Sequence, residues 1–135
     1  MRILLYCAFW IDVVVWASSD CAWFVGKLRC SNMDNLDNTV VELYDSDIGY
    51  KNIFNKDDLA GRTIVTKEDH GTFKVDGCAD DPNLLVVFKN HPEFYLRIHH
   101  SCKGYTETKI VTPPNQKIFV PETNDYYSNN PIDLD

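Results

Sequence analysis

Positive charge is scarce in this 135-residue chain: 13 Lys and Arg stand against 20 Asp and Glu, a formal net charge of −7. A nucleic-acid partner is not expected, because neutralising phosphates calls for a basic patch. Simple electrostatic docking on an anionic membrane is disfavoured for the same reason. Metal spacing is missing as well. The cysteines, Cys7, Cys21, Cys30, Cys78 and Cys102, include no C-x-x-C pair, and no Cys/His set falls at zinc-finger intervals. No cofactor is expected. Internal repeats, low-complexity runs and a long helical period are absent, and beyond residue 17 there is no further long apolar run. The exported part of the chain is therefore expected to be soluble.

What is present is enough for one core. Hydrophobic residues make up 44% and aromatic residues 13% of a chain of single-domain length. So many rings in so short a chain favour β-structure over a helical bundle.

The N-terminus reads as an address. Arg2 supplies a positive charge, Ile3 to Ala17 is apolar except for Asp12, and Ala17-Ser18-Ser19 offers the small residues that a signal peptidase needs. Residues 1–19 are expected to be a secretory signal peptide cut near Ser19. An uncleaved anchor or a buried N-terminal segment are the alternatives, but the run is short for a transmembrane helix, which needs about 20 apolar residues. Removal takes Arg2 and Asp12 together, so the charge balance is unchanged. In an oxidising compartment the cysteines that remain should mostly pair. Whether Cys21 stays decides whether three or four are left.

Residues 20–121 read as one domain. Trp23 to Cys30 alternates, with Lys27 and Arg29 towards solvent and Phe24, Leu28 and Cys30 inwards. Thr39–Tyr44, Arg62–Lys67, Thr72–Val75, Phe94–His100, Lys109–Thr112 and Lys117–Val120 are further strand candidates. Phe94–His100 is expected to be central. Glu68-Asp69-His70-Gly71 reads as a tight turn, which would make 62–75 a hairpin. Leu84–Phe88 is a buried strand or one helical turn. Residues 122–135 are polar and Pro-interrupted and are expected to form a loose tail. Short strands punctuated by turns imply an all-β, immunoglobulin-like two-sheet sandwich of about seven strands.

Candidate chemistry is sparse. Asp45-Ser46-Asp47-Ile48-Gly49 has the D-x-D-x-G pattern of a calcium loop, and Asp57-Asp58 close the segment. Calcium takes about six to eight oxygens. An EF-hand is excluded, because Lys56 stands at the twelfth position. Asp45, Asp47, Asp57 and Asp58 stay as candidates for an irregular surface site, beside the plain reading that Asp and Asn serve loop turns. His99 and His100 are adjacent, so on a strand they face opposite ways: one a core histidine bonded to backbone, the other exposed. His70 and His91 are expected to be solvated. Cys102 and His100 share a strand face at nucleophile–base spacing. No oxyanion donor or orienting carboxylate can be assigned to them, so no catalytic residue is expected and the chain is not read as an enzyme.

Several local patterns occur in a fixed order: Val25-Gly26-Lys27-Leu28-Arg29-Cys30, then Val40-Val41-Glu42-Leu43-Tyr44-Asp45, then Asp57-Asp58-Leu59-Ala60, then Thr66 to Phe73, then Leu96-Arg97-Ile98-His99-His100-Ser101-Cys102. This order resembles the nematode transthyretin-like family of secreted proteins, whose members show G-x-L-x-C, V-x-L-x-D, D-D-L, T-x-x-x-G-x-F and L-K-I-Y-H-x-C patterns; in the fourth, this chain has one residue more between Thr66 and Gly71. The likeness spans about residues 24–121. It implies a transthyretin-like sandwich and an extracellular role, with a cell-surface protein or a lipid headgroup as partner and a bridging function between headgroup and receptor. Cys30 and Cys102 match family cysteines and form the first-choice disulfide. Cys78 lies where the family usually has small polar residues, so Cys78 with Cys21, or with either of the others, stays open. The Tyr-Arg-Gly-Ser ending of the related 5-hydroxyisourate hydrolases is replaced by Ile132-Asp133-Leu134-Asp135. A carrier of a small apolar ligand is the alternative reading. A filled core would favour contact through the loops Asp45–Asp58 and Cys78–Asn83; an apolar inter-sheet cavity of about 300 Å³ or more would favour carriage. Oligomeric state is not legible.

Overall fold

The computed structural model describes residues 17–46, 57–82, 93–112, 117–120 and 123–135. The hydrophobic run of the expected signal peptide therefore lies outside the described residues, as do Cys7, Asp47, Leu84–Phe88 and His91. Among the described residues no helix is long and apolar enough to cross a membrane.

The structure is an all-β sandwich. Strand β1 is Ala17–Arg29, β2 Thr39–Asp45, β3 Asp58–Val65, β4 Thr72–Pro82, β5 Phe94–His100, β6 Glu107–Val111, β7 Lys117–Val120, β8 Thr123–Tyr127 and β9 Ile132–Asp133. One sheet runs β4-β1-β8-β7, with β9 also on β1; the other runs β3-β2-β5-β6. β5 sits between β2 and β6, as its alternation suggests: Phe94, Leu96, Ile98 and His100 are buried, while Tyr95, Arg97 and His99 face out. β2 repeats the pattern from Thr39 to Asp45. Each strand thus hides one face, and the faces meet in one core. Phe24, fully buried, stacks on Phe73 at 5.9 Å and on Tyr126 at 5.8 Å between ring centroids. Val41, Leu43, Leu96 and Ile98 oppose them from the second sheet. Leu36, on a short 3-10 turn at Met33–Leu36, is also fully buried.

The structure corrects the sequence reading in three places. The 66–71 turn exists, and Thr66 donates to the Asp69 carboxylate from both its N–H and its hydroxyl. It does not make a hairpin, because β3 pairs with β2 and β4 with β1, in different sheets. The chain can change sheets here because β3 and β4 cross almost in contact at two glycines. A Cβ on Gly61 would lie 2.1 Å from the Asp76 carbonyl oxygen, and one on Gly77 2.1 Å from that of Ala60. Second, the presumed loop at Cys78–Asn83 is strand as far as Pro82, in antiparallel register with Ala17–Cys21. Backbone pairing needs no apolar side chains, so its polar composition misled. The end of the expected signal peptide, Ala17–Ser19, is the other half of that ladder.

Third, residues 122–135 are not a loose tail. β8 runs parallel to β1 from Cys21↔Thr123 to Val25↔Tyr127, and β9 extends the contact at Leu28↔Ile132. Tyr126 and Leu134 are buried. Leu134 N–H donates to the Arg29 carbonyl at 2.9 Å, and Asp135 accepts from Ser31 N–H and hydroxyl, both at 2.6 Å. Two apolar anchors in an otherwise polar stretch suffice because the neighbouring strand supplies the hydrogen bonds. The domain therefore includes the described part of this segment, and nine strands rather than about seven are formed by the described residues.

Candidate functional site

Two disulfides staple the sandwich. Cys30–Cys102 joins the end of β1 to the turn after β5, bridging the sheets, and both residues are buried. Cys21–Cys78 lies within one sheet between directly opposed residues of β1 and β4, with Cys78 exposed. The pairing left open by the sequence is thereby resolved in the structure.

The adjacent histidines take the two environments expected of them. His100 is buried beside the Cys30–Cys102 bridge; its Nδ1 accepts from Cys102 N–H at 3.4 Å and its Nε2 lies 3.4 Å from Glu107. Burial pushes its pKa below the usual histidine value. His99 is partly exposed on the opposite face of β5, with Nδ1 2.8 Å from the Thr108 hydroxyl and Nε2 3.0 Å from Glu42. Arg62 approaches the same carboxylate at 3.9 Å.

These contacts belong to a broad outer face on the β3-β2-β5-β6 sheet. Strand register sets it out in rows: Ile64, Val40, His99 and Thr108 in one; Arg62, Glu42, Arg97 and Ile110 in the next; Leu59, Tyr44 and Tyr95 in a third. Tyr44 and Tyr95 stack at 5.7 Å, and the Arg97 guanidinium lies 4.2 Å from the centre of the Tyr44 ring. Arg97 donates to the Tyr95 hydroxyl at 3.1 Å, which donates in turn to Asp57 at 2.6 Å. Burial, together with the hydrogen bond to Asp57, pushes the Tyr95 phenol up to about 12. The aromatic and cation–π contacts hold these side chains in fixed positions. Around them, Leu59 is 52%, Ile64 54% and Ile110 65% exposed. At one end of the face a cleft of about 360 Å³ opens among Ser46, Asp57, Glu93, Tyr95, Arg97 and Ile110.

The calcium candidates fare unequally. Asp45 and Asp58 are register partners across β2 and β3, but Asp45 is buried and accepts from Glu93 N–H at 2.9 Å, while Asp58 is exposed. Asp57 takes the Tyr95 hydroxyl. Among the described residues no three metal-ligating side chains converge. The structure thus uses Asp45 to fix the backbone at Glu93 and places Asp57 in the wall of the cleft. The residues that build the outer face, Tyr44, Tyr95, Arg97 and Ile110, drew no functional attention in the sequence. Their signal was the alternation of β2 and β5, which already put Tyr95, Arg97 and His99 on one side.

No family model matches this chain, and no curated protein matches it either.

Proposed function

We propose that this chain is an extracellular, transthyretin-like binding protein, and that it contacts a cell-surface partner through the outer face of the β3-β2-β5-β6 sheet. The observation that carries this reading is the conjunction of three large exposed apolar side chains, Leu59, Ile64 and Ile110, with the pre-positioned Tyr44–Tyr95–Arg97 cluster. Aromatic and arginine anchors ringed by apolar surface are the usual makings of a protein-binding patch. Stapling by two disulfides supports an oxidising location.

Carriage of an apolar ligand receives less support. The space between the sheets is occupied by packed side chains such as Phe24, Leu43 and Ile98, and the cleft lies on the outside with Asp57, Glu93 and Arg97 in its walls. It is an open cleft on the outside of one sheet, not the enclosed inter-sheet cavity that carriage calls for. Catalysis is likewise disfavoured. Thr108, His99 and Glu42 line up in the order of nucleophile, base and carboxylate. They rise from a flat ladder, however, where the N–H groups of the central strand lie in the sheet plane and bond its neighbours, so none is aimed at a developing oxyanion above it.

The test is secretion followed by surface binding. The chain expressed in eukaryotic cells is expected in the medium with an intact mass lacking the N-terminal segment. Its labelled form is expected to bind cell surfaces, with Arg97→Ala combined with Ile110→Asp weakening binding by about thirtyfold or more, the cost of losing one hot spot. Retention in the cytosol, or unchanged binding by the folded variant, refutes the reading.

A further inference from the structure

We propose that Cys21–Cys78 is a thiol-exchange site, with Cys78 the sulfur that an external thiol attacks, whereas Cys30–Cys102 is a permanent staple. The two bonds differ in surroundings. Cys30 is 4% and Cys102 7% exposed, so both sulfurs sit in the core beside buried His100. Cys78 is exposed and Cys21 half-buried, on the outer face of the edge strand β4 and its neighbour β1. Attack needs a thiolate to reach one sulfur along the line of the bond, so exposure decides which sulfur and which bond react. It selects Cys78.

Asp76 precedes Cys78 on the same face of β4, and Lys74, whose ammonium is 4.0 Å from the Asp76 carboxylate, offsets its charge. Lys74 also lies 4.7 Å from the centre of the Trp23 ring, on the side of the bond that faces the body of the sheet. Opening need not unfold the domain. With the expected cut near Ser19, Cys21 becomes the second residue of the exported chain. The bond then pins only that new end to β4, while β1 beyond it stays held by β4, β8 and the core.

The step balances. A thiolate RS⁻ attacks Cys78 Sγ and forms Cys78–S–S–R; the bond to Cys21 breaks, and Cys21 leaves as a thiolate that takes a proton from solvent. A second RS⁻ can then release RSSR and leave two protein thiols, so one disulfide is reduced while two equivalents of RSH become RSSR. The product of the first step is a covalent attachment point for a small thiol or for a cysteine of a partner protein, a role beyond the surface contact proposed above.

Two measurements on the folded secreted chain test this. Under native conditions with glutathione, alkylation and peptide mapping should find Cys21 and Cys78 reduced about a hundredfold faster than Cys30 and Cys102, because the buried pair must wait for the domain to open. The Cys21→Ser variant should form a mixed disulfide with oxidised glutathione about tenfold faster at Cys78 than the Cys78→Ser variant does at Cys21. The retained Cys30–Cys102 bond is expected to keep both variants folded, and near-UV circular dichroism checks it. Should a variant fail to fold, trapping the mixed disulfide on the unmodified chain and mapping its position gives the same answer. Simultaneous reduction of both bonds, or equal reactivity of Cys21 and Cys78, overturns the proposal.

Discussion

Replacing Tyr126 with Ala separates the two views of the C-terminal segment. In the structure Tyr126 is 5% exposed and stacks on Phe24, which is itself fully buried against Phe73. A buried aromatic side chain covers about 150–250 Å², which at about 25 cal/mol per Å² is about 4–6 kcal/mol. Residual compactness of the unfolded chain reduces this, and measured aromatic-to-alanine costs of about 3–5 kcal/mol bracket the result. A loss of about 3–4 kcal/mol is expected for Tyr126→Ala. Leu134, 1% exposed, should lose about 2–4 kcal/mol on change to Ala. Urea unfolding under oxidising conditions reads both, and with a slope of about 1.5 kcal/mol per molar the Tyr126 midpoint should fall by about 2 M. A loose tail would leave both stabilities within about 0.5 kcal/mol of the parent's. Losses that small would refute the placement of β8 and β9 against β1.

Gly77→Ala tests the crossing between sheets. The added methyl would meet the Ala60 backbone carbonyl oxygen at 2.1 Å, where no side chain can swing aside, so a loss of at least about 3 kcal/mol or failure to fold is expected, and a Tm close to the parent's would contradict the crossing. His100 tests the buried face. Its folded pKa lies below the unfolded value of about 6.5, so the native state binds fewer protons and stability falls as pH drops from about 6.5 towards the folded value. The groups acting on the ring are Glu107, Lys103, Lys109 and Asp135. Glu107, held low mainly by its hydrogen bond from Lys103, titrates below the usual carboxylate range and so outside this window. Chemical denaturation between about pH 8 and pH 5 should show a slope that His100→Gln flattens; an unchanged slope would exclude His100 as its source.

Legibility followed the source of each structural decision. Where side chains choose the structure, the sequence was readable. The alternation of Phe94–His100 placed β5 in the interior of its sheet and turned His99 and His100 to opposite sides. The same logic put Phe24 and Leu28 inwards and Lys27 and Arg29 outwards on β1. Where backbone chooses, it was not. Cys78–Pro82 and Thr123–Tyr127 are strands because β1 offers them free ladder positions on its two sides, one antiparallel and one parallel. Nothing local in Ala79-Asp80-Asp81-Pro82 or in Thr123-Asn124-Asp125 announces that. The change of sheet between β3 and β4 depends on a contact between Gly61 and Gly77, sixteen residues apart, and each glycine read alone is an ordinary strand flaw. The outer face was half legible: alternation grouped Tyr95, Arg97 and His99, but Ile110 and Arg62 join them only through register with β6 and β3.

The fixtures of the fold converge on that outer face, and this bears on how it would bind. Recognition by a sheet surface loses affinity whenever side chains or strands must be ordered on contact, at about 0.5–1.5 kcal/mol for each freed side chain. Here the aromatic and polar side chains are already ordered. Arg97 is held by Tyr44, Tyr95 and, through the Tyr95 hydroxyl, Asp57; His99 is held by Thr108 and Glu42. Behind the face, Cys30–Cys102 ties the turn after β5 to β1, and the Gly61–Gly77 crossing locks β3 against β4. A surface so fixed should bind with little change of shape. The converse also follows: Tyr95→Phe, which removes the hydroxyl linking Arg97 to Asp57 while leaving the ring stack on Tyr44, would weaken binding by loosening Arg97 rather than by deleting contact area.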